Sequence, residues 1–431
     1  MTKFLLIIFG TFLIISNLNA ESFNTALLKA FKNNSELNAE RENINISEQE
    51  LKISQGNYLP TVTLSGSKST EDTNKLTKQS GGDATINDVD PITKSISISQ
   101  TLIDFGRGAE LSKNKIGLEI AKAKLLKKEQ DILYKTTEAY TGLILANEKL
   151  NINKDNVELL SRQVETDQIR AERGQITLSD VSQSESSLAE AQARLIQAEN
   201  ELLTSKLNYE NIVGTLNNPK SLDKKSINKY PLPESVNSAI ELSKKNNPDL
   251  IIAQLEYEQA QKDKIIAKSD LAPTANLSLE RSYVDDFSAT YDEREKDTLK
   301  ATVTWPFYSG GKNLASLNKS SSLETRSRLI LDSVTKQNQT NVASAWSSYQ
   351  SNKSLLNSVQ AQVRAAEIAN EGISAEYNSG AGRTTLEVIQ SNSLLLNAQI
   401  SLANSQRNFI LSKFNLLKSV GLLNSEYLKI N

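Results

Sequence analysis

Residues 108–173 read GAELSKNKIGLEIAKAKLLKKEQDILYKTTEAYTGLILANEKLNINKDNVELLSRQVETDQIRAER, a run without proline whose apolar residues keep a seven-residue period. Leu111, Leu118, Leu125, Ile132 and Ala139 stand seven apart; after a four-residue skip, Leu143, Leu150, Val157, Val164 and Ala171 resume the spacing. Such a pattern is the seam of a coiled coil with one stutter. At about 1.5 Å per residue the helix would be roughly 100 Å long, about three times the hydrocarbon thickness of a bilayer. So narrow a seam cannot fold alone, and the rest of the chain, with other copies of it, must supply the partners.

The chain is written twice. Asn33-Asn34-Ser35-Glu36-Leu37 and Asn246-Asn247-Pro248-Asp249-Leu250 lie 213 residues apart, and the same offset carries Tyr58-Leu59-Pro60 onto Leu271-Ala272-Pro273. Ile103 to Arg107 matches Tyr308 to Lys312 at offset 205, and Ser205, Lys206, Asn208, Val213 and Gly214 fall on Ser412, Lys413, Asn415, Val420 and Gly421 at offset 207. Units this long indicate a duplication rather than a solenoid. Shorter helices carry the clearest heptads: Val181, Leu188, Leu195, Leu202 and Tyr209, matched by Val388, Leu395, Leu402, Phe409 and Leu416. Three residues after most of these comes a small one, such as Ser184, Ala191, Ser391 or Ala398, which lets helices approach closely.

Each unit also holds a pair of strands. Val62 and Leu64 alternate with Thr61, Thr63 and Ser65; after a polar loop with Gly81-Gly82, Ile96, Ile98 and Leu102 alternate with serines and threonines. In the second unit Ala275, Leu277 and Leu279 oppose Asn276, Ser278 and Glu280, and Leu299, Ala301, Val303, Trp305 and Phe307 oppose Lys300, Thr302 and Thr304. A run of about 9 to 11 residues crosses a bilayer as a tilted barrel strand, and aromatics at strand ends suit a membrane interface. Four strands cannot close a barrel, so closure needs neighbouring copies, two giving eight strands or three giving twelve.

Lys3, the apolar run Phe4 to Ile15 and Ser16 to Ala20 read as a signal peptide, so the chain is expected to leave the cytoplasm. The formal charge is -2, with no block of like charge that would bind nucleic acid. Cysteine and histidine are absent, which excludes disulfides, a cysteine lipid anchor, thiolate or imidazole metal ligation, and catalysis by Ser/His/Asp or Cys/His. No Gly-rich phosphate loop follows a strand, so neither an enzymatic activity nor a cofactor is expected.

Together, the leader, the doubled unit of strands with long and short helices, and hairpin turns at Gly174 and Gly380 resemble the TolC family of outer-membrane efflux and secretion channels. The resemblance implies a mainly α fold with a transmembrane β part. It would be a homotrimer in the outer membrane of a Gram-negative bacterium, with a twelve-stranded β-barrel continued through the periplasm by a twelve-helix coiled-coil α-barrel. It also implies a periplasmic adaptor protein and an inner-membrane pump or ABC-type transporter as partners, outer-membrane lipid around the barrel, and no chemistry. Drugs, metal ions and secreted polypeptides all pass through such channels. The organisation expected is a signal peptide at 1–20, a first repeat at 21–216 with strands near 58–68 and 95–105, and an equatorial connector at 217–233. A second repeat at 234–423 has strands near 274–283 and 298–308, and a tail occupies 424–431. A passive porin and a structural coiled-coil surface protein are the other readings; the second leaves membrane-length strands and duplication unexplained.

The resemblance also singles out residues. Gly174-Gln175-Ile176-Thr177-Leu178-Ser179-Asp180-Val181 and Tyr377 to Thr384 are similar to the family's two tip turns, with one residue more than the family spacing between Gly380 and Arg383. It implies a network of Ser179, Asp180, Tyr377 and Arg383 that holds the tube shut. Gly174 and Gly380 would be adaptor-docking tips, and Glu387 would line a constriction, with Gln390 standing where other members place a second acid.

Overall fold

In a computed structural model, residues 22–71, 89–216, 222, 224, 227, 230–288, 291–380 and 382–430 are described. The expected signal peptide, Gly81-Gly82 and much of the expected connector lie outside these residues. The elements follow the duplication: α1 (Phe23–Asn33), α2 (Ser35–Gly56), β1 (Thr61–Lys68), β2 (Ile92–Ile103), α3 (Arg107–Glu172) and α4 (Leu178–Val213), then α5 (Val236–Asn246), α6 (Pro248–Ser269), β3 (Thr274–Ser288), β4 (Tyr291–Thr304), α7 (Lys312–Ser379), α8 (Thr385–Val420) and the short α9 (Ser425–Leu428). The paired Asn-Asn motifs break the helix at Asn34 and at Asn247. The Asn247 side chain accepts from the N–H groups of Asp249 and Leu250, and Pro248, which has no N–H to lose, takes the first helical position.

The described residues fall into two compact units, those within 22–35, 129–240 and 341–430 forming one, those within 36–128 and 241–340 the other. The first is helical. Its core gathers Phe23 of α1, Tyr140 of α3, Tyr209 of α4 and Phe414 of α8, with Phe23 edge-on to Tyr140 at 5.2 Å and to Phe414 at 5.4 Å. Edge-to-face packing is the arrangement aromatic quadrupoles prefer. The small residues beside the heptads face inward: Ser184, Ala191, Ala198, Ser391, Ala398 and Ser405 are all buried, whereas Leu188, Leu195, Leu395 and Leu402 are half-buried within one chain. The tail folds back on this unit, where Leu428 and Ile430 are buried and Tyr427 donates to the Pro231 carbonyl at 2.8 Å.

The second unit holds the sheet, ordered β1-β2-β3-β4 and antiparallel throughout. Register places Val62, Ile98, Leu279 and Leu299 in one row on one face, with Leu64 opposite Ile96 in the next. That apolar face is bare: Leu64, Leu299 and Val303 are more than two-thirds exposed. Among the described residues β1 and β4 are both free edges. Trp305, Phe307, Tyr308, Phe105 and Tyr58 lie exposed just beyond the strand ends.

Strand limits differ from expectation for local reasons. β4 stops at Thr304 because Pro306 offers no donor to a ladder, and the Trp305 indole donates instead to the Leu271 carbonyl at 3.1 Å. β2 ends at Ile103 because the Asp104 carboxylate accepts from the N–H groups of Gly106 and Arg107 and starts α3. The β3-β4 hairpin extends through Asp285 and Glu293, polar residues that carry no apolar alternation. Among the described residues no helix is long and apolar enough to cross a membrane.

Candidate functional site

Both helical hairpins turn in the same way. α3 ends at Gly174 (φ 69°) and α7 at Gly380 (φ 77°), whose N–H groups donate to Ala171 and Tyr377 carbonyls at 2.9 and 3.2 Å. A side chain on either glycine would meet no atom within 4 Å, so glycine is required by its left-handed backbone and not by crowding. Each following helix then opens on a threonine in a reciprocal capping box. The Thr177 hydroxyl accepts from the Asp180 N–H at 3.3 Å while the Asp180 carboxylate accepts from the Thr177 N–H at 2.9 Å. Thr384 and Glu387 repeat this at 3.3 and 2.8 Å. These bonds favour the ionised acids: the Thr177 hydroxyl, then its N–H, draws the Asp180 carboxyl below its ordinary value, and the Thr384 N–H, then Arg383, does so for Glu387.

The two hairpins of one chain are latched on Asp167 of α3. This carboxylate is fully buried, and it accepts from the Tyr377 hydroxyl of α7 at 2.5 Å, the Gln163 amide at 2.9 Å and the Ser184 hydroxyl of α4. Tyr377 is 2 % exposed and shares a second hydrogen bond with the buried Thr385 hydroxyl at 3.0 Å. Above its ring, 4.1 Å from the centroid, lies the Arg170 guanidinium, which also donates to the Tyr377 carbonyl at 2.9 Å. Burial, then the bond to Asp167, pushes the Tyr377 phenol up from its ordinary value. A buried carboxylate with three donors is a strong, directional contact, because charge-assisted bonds are about twice as strong as neutral ones.

Within one chain the four residues of the expected network are not brought together. Tyr377 bonds Asp167 rather than Asp180, because Asp180 is occupied with its own helix cap. Arg383 meets neither Ser179 nor Asp180: it lies between Glu376 (2.6 Å) and Glu387 (3.0 Å), which hold the guanidinium above its ordinary value. Ser179, in the first turn of α4, and Gln390, in the second turn of α8, are exposed. Glu387 is half-buried at the same tip as Arg383. Asp167 was missed, although its signal is in the sequence: Ala146, Asn153, Leu160 and Asp167 form the second line of the long-helix heptad, all four are buried, and one is a lone acid. Among the described residues no group of acidic side chains is placed to hold a metal ion.

The chain matches the family described as outer membrane efflux protein over residues 26–215 and again over 239–422, once in each repeat. It is 25% identical over 411 residues to the outer membrane efflux protein BepC of Brucella suis, covering 95% of this chain and 87% of that one. To the outer membrane protein TolC of Escherichia coli it is 21% identical over 344 residues, 77% of this chain and 70% of the other. The fold superposes on the crystal structure of the Campylobacter jejuni CmeC outer membrane channel with a TM-score of 0.82, at 15% identity, over 94% of this chain and 88% of that one.

Proposed function

The chain belongs to the outer membrane efflux protein family, the TolC-like channels of efflux and secretion systems, and from that membership we propose that three copies close one conduit through the outer membrane. The observation that supports this is the sheet: four strands, two free edges and an apolar face left bare. In lipid an open edge is prohibitive, so β1 of one copy must meet β4 of the next, and three copies give twelve strands. The exposed aromatics at the strand ends then form the interfacial girdle. The hairpins, with half-buried leucines beside their small-residue contacts, build a coiled tube from the same three copies.

In this reading the turns at Gly174 and Gly380 are the surface that meets a periplasmic adaptor, and an inner-membrane transporter supplies the cargo. The Asp167-Tyr377 latch keeps each chain's hairpins together at the closed tip. Ser179, Asp180 and Arg383 stand at the surface where a neighbouring copy would reach them, and Glu387 with Gln390 rims the constriction. The test is extraction from outer-membrane fractions in mild detergent. A heat-dissociable trimer that conducts in planar bilayers is expected; a water-soluble monomer without pore activity would refute the reading. Docking is tested separately by crosslinking from Gln175 and Ser379, which should capture an adaptor hairpin.

A further inference from the structure

We propose that the bare apolar face of the sheet is a lipid contact whose outer limit lies at Lys68, Lys94, Arg281 and Asp297, and that the β3-β4 hairpin beyond this line stands outside the membrane as a collar; this rests on the trimeric channel reading above. Register puts Val62, Leu64, Ile98, Leu279, Leu299 and Val303 on that face. Followed away from the aromatic ends, each strand keeps the face free of charge up to one position: Lys68 on β1, Lys94 on β2, Arg281 on β3 and its direct partner Asp297 on β4. The face also carries the Gln100 amide, which donates to the Tyr58 and Thr101 carbonyls at 3.3 and 3.1 Å, so its hydrogens need no water. Beyond the line both faces of the hairpin are charged. Asp285, Glu293 and Glu295 share the outward face with Tyr283, while Arg294, Lys296 and Asp292 lie on the other. Charge on the lipid face of a barrel is costly at depth and cheap at the interface, so the first charged row marks where hydrocarbon ends.

The intervals match a membrane. Tyr58 to Lys68 on β1, Phe105 to Lys94 on β2 and Phe307 to Asp297 on β4 each cover 10 or 11 residues. At about 3.3 Å per residue and a tilt of about 40°, each interval rises roughly 25 to 28 Å. The apolar band of outer-membrane barrels is about 25 Å tall, and the bacterial outer membrane is thinner than most bilayers. Three strands of different sequence thus mark the same two levels, a coincidence that a covering layer of protein would not require. Every strand joins its helix at the aromatic end, α2 before β1, α3 after β2, α6 before β3 and α7 after β4, so in the channel reading that end faces the periplasm and the hairpin faces outward. From Arg281 to Ser288 the collar climbs about 18 Å further. Arg281 reaches Glu295 and Asp297 at 3.4 and 3.8 Å, and Arg294 lies over the Phe287 ring at 4.6 Å, contacts that hold the ribbon with water on both sides.

The experiment uses single cysteines, each unique because the chain has none of its own. Ile98→Cys, Leu277→Cys, Lys94→Cys and Glu293→Cys are labelled with an environment-sensitive fluorophore in the purified trimer, reconstituted in vesicles whose acyl chains carry bromine at mid-depth, with iodide as the quencher in water. Brominated chains should remove most of the emission at Ile98→Cys and Leu277→Cys, and iodide almost none. At Glu293→Cys the order should reverse, and the Lys94→Cys label should be touched by both. On intact cells a membrane-impermeant maleimide should modify Glu293→Cys and spare Ile98→Cys. Val62→Cys and Val303→Cys read the same band from other strands, should one variant fail to assemble. Pore-forming trimers whose band labels are quenched by iodide, or by neither agent because protein covers the face, would overturn the proposal while leaving the channel reading intact. So would a Glu293→Cys label that brominated chains quench, or a Glu293→Cys thiol that stays unmodified on intact cells. A wild type that forms no pores would remove both.

Discussion

Replacing Tyr377 by phenylalanine deletes one oxygen from the latch and leaves the ring in its packed site. The lost bond runs to a fully buried carboxylate, a class of contact worth about 1.5–3 kcal/mol. Two donors, Gln163 and Ser184, remain on Asp167, which places the cost in the lower part of that range, about 1.5–2 kcal/mol. The population of parted hairpins should therefore rise about 10- to 30-fold. Amide hydrogen exchange reads this directly: protection at 163–170 and 376–387 should drop by that factor, while the aromatic core around Phe23 and Tyr140 keeps its protection. In bilayers the closed-state conductance should open more often. A cycle with Asp167→Asn isolates the pair, since groups in contact couple by more than about 0.5 kcal/mol. If Tyr377→Phe exchanges at the wild-type rate, or the two variants are additive, the latch carries no energy and the reasoning fails.

Other expectations follow from the same geometry. Arg383→Ala strips the cation from between Glu376 and Glu387, so cation preference through the tip should increase, measurable as a reversal-potential shift; no shift would take Glu387 away from the conduction path. Thr177→Ala or Thr384→Ala removes an N-cap and should cost about 1 kcal/mol of local helix stability, read as faster exchange in the first turn of α4 or α8. Ala398 of α8, fully buried in a cluster with Val363 and Ala366 of α7, should tolerate leucine poorly, with about 1–3 kcal/mol lost to overpacking and a lower melting temperature. With pH, the folded-state values of Asp180 and Glu387 are depressed, so their capping is complete above the ordinary carboxylate range and is lost as pH falls through the depressed values. Tyr377 behaves oppositely: its value is raised, so its contribution is whole below the ordinary tyrosine value and disappears as pH climbs through the raised one. Limited proteolysis of the tips should therefore accelerate in strong acid and again in strong alkali, and a flat profile would contradict both assignments.

Much of the architecture is legible because periodicity reports it. Leu111 through Ala171 fixes the long helix, and the alternation of Val62, Leu64, Ile96 and Ile98 with hydroxyl residues fixes two strands, since side-chain direction in each element repeats with its own period. The charged hairpin from Asp285 to Asp297 escaped because both its faces are polar, and pairing there is held by backbone bonds and ion pairs that leave no alternation to see. The tip was only half readable. Gly174, Gly380 and the spacing of Thr177 from Asp180 and Thr384 from Glu387 announce turns and caps. Which side chain Tyr377 meets depends on how two hairpins 207 or more residues apart rotate against each other, and no local pattern encodes that. A buried acid in line with Ala146 and Leu160 was the one clue, legible once a charge inside a seam is taken as a demand for partners.

The unequal length of the two outer strands bears on how the protein avoids precipitating before it is finished. β1 has 8 residues and β4 has 14, so a neighbouring β1 can cover only part of the longer rim. The stretch of β4 towards its hairpin carries Glu293, Arg294, Glu295 and Lys296, and alternating charge is what deters stray strands from adding to a naked margin. The stretch from Leu299 to Val303 has no such guard on its apolar side. In the proposed trimer that unguarded stretch is where a neighbouring β1 would pair, so a copy not yet joined to its neighbours leaves it open to stray strands.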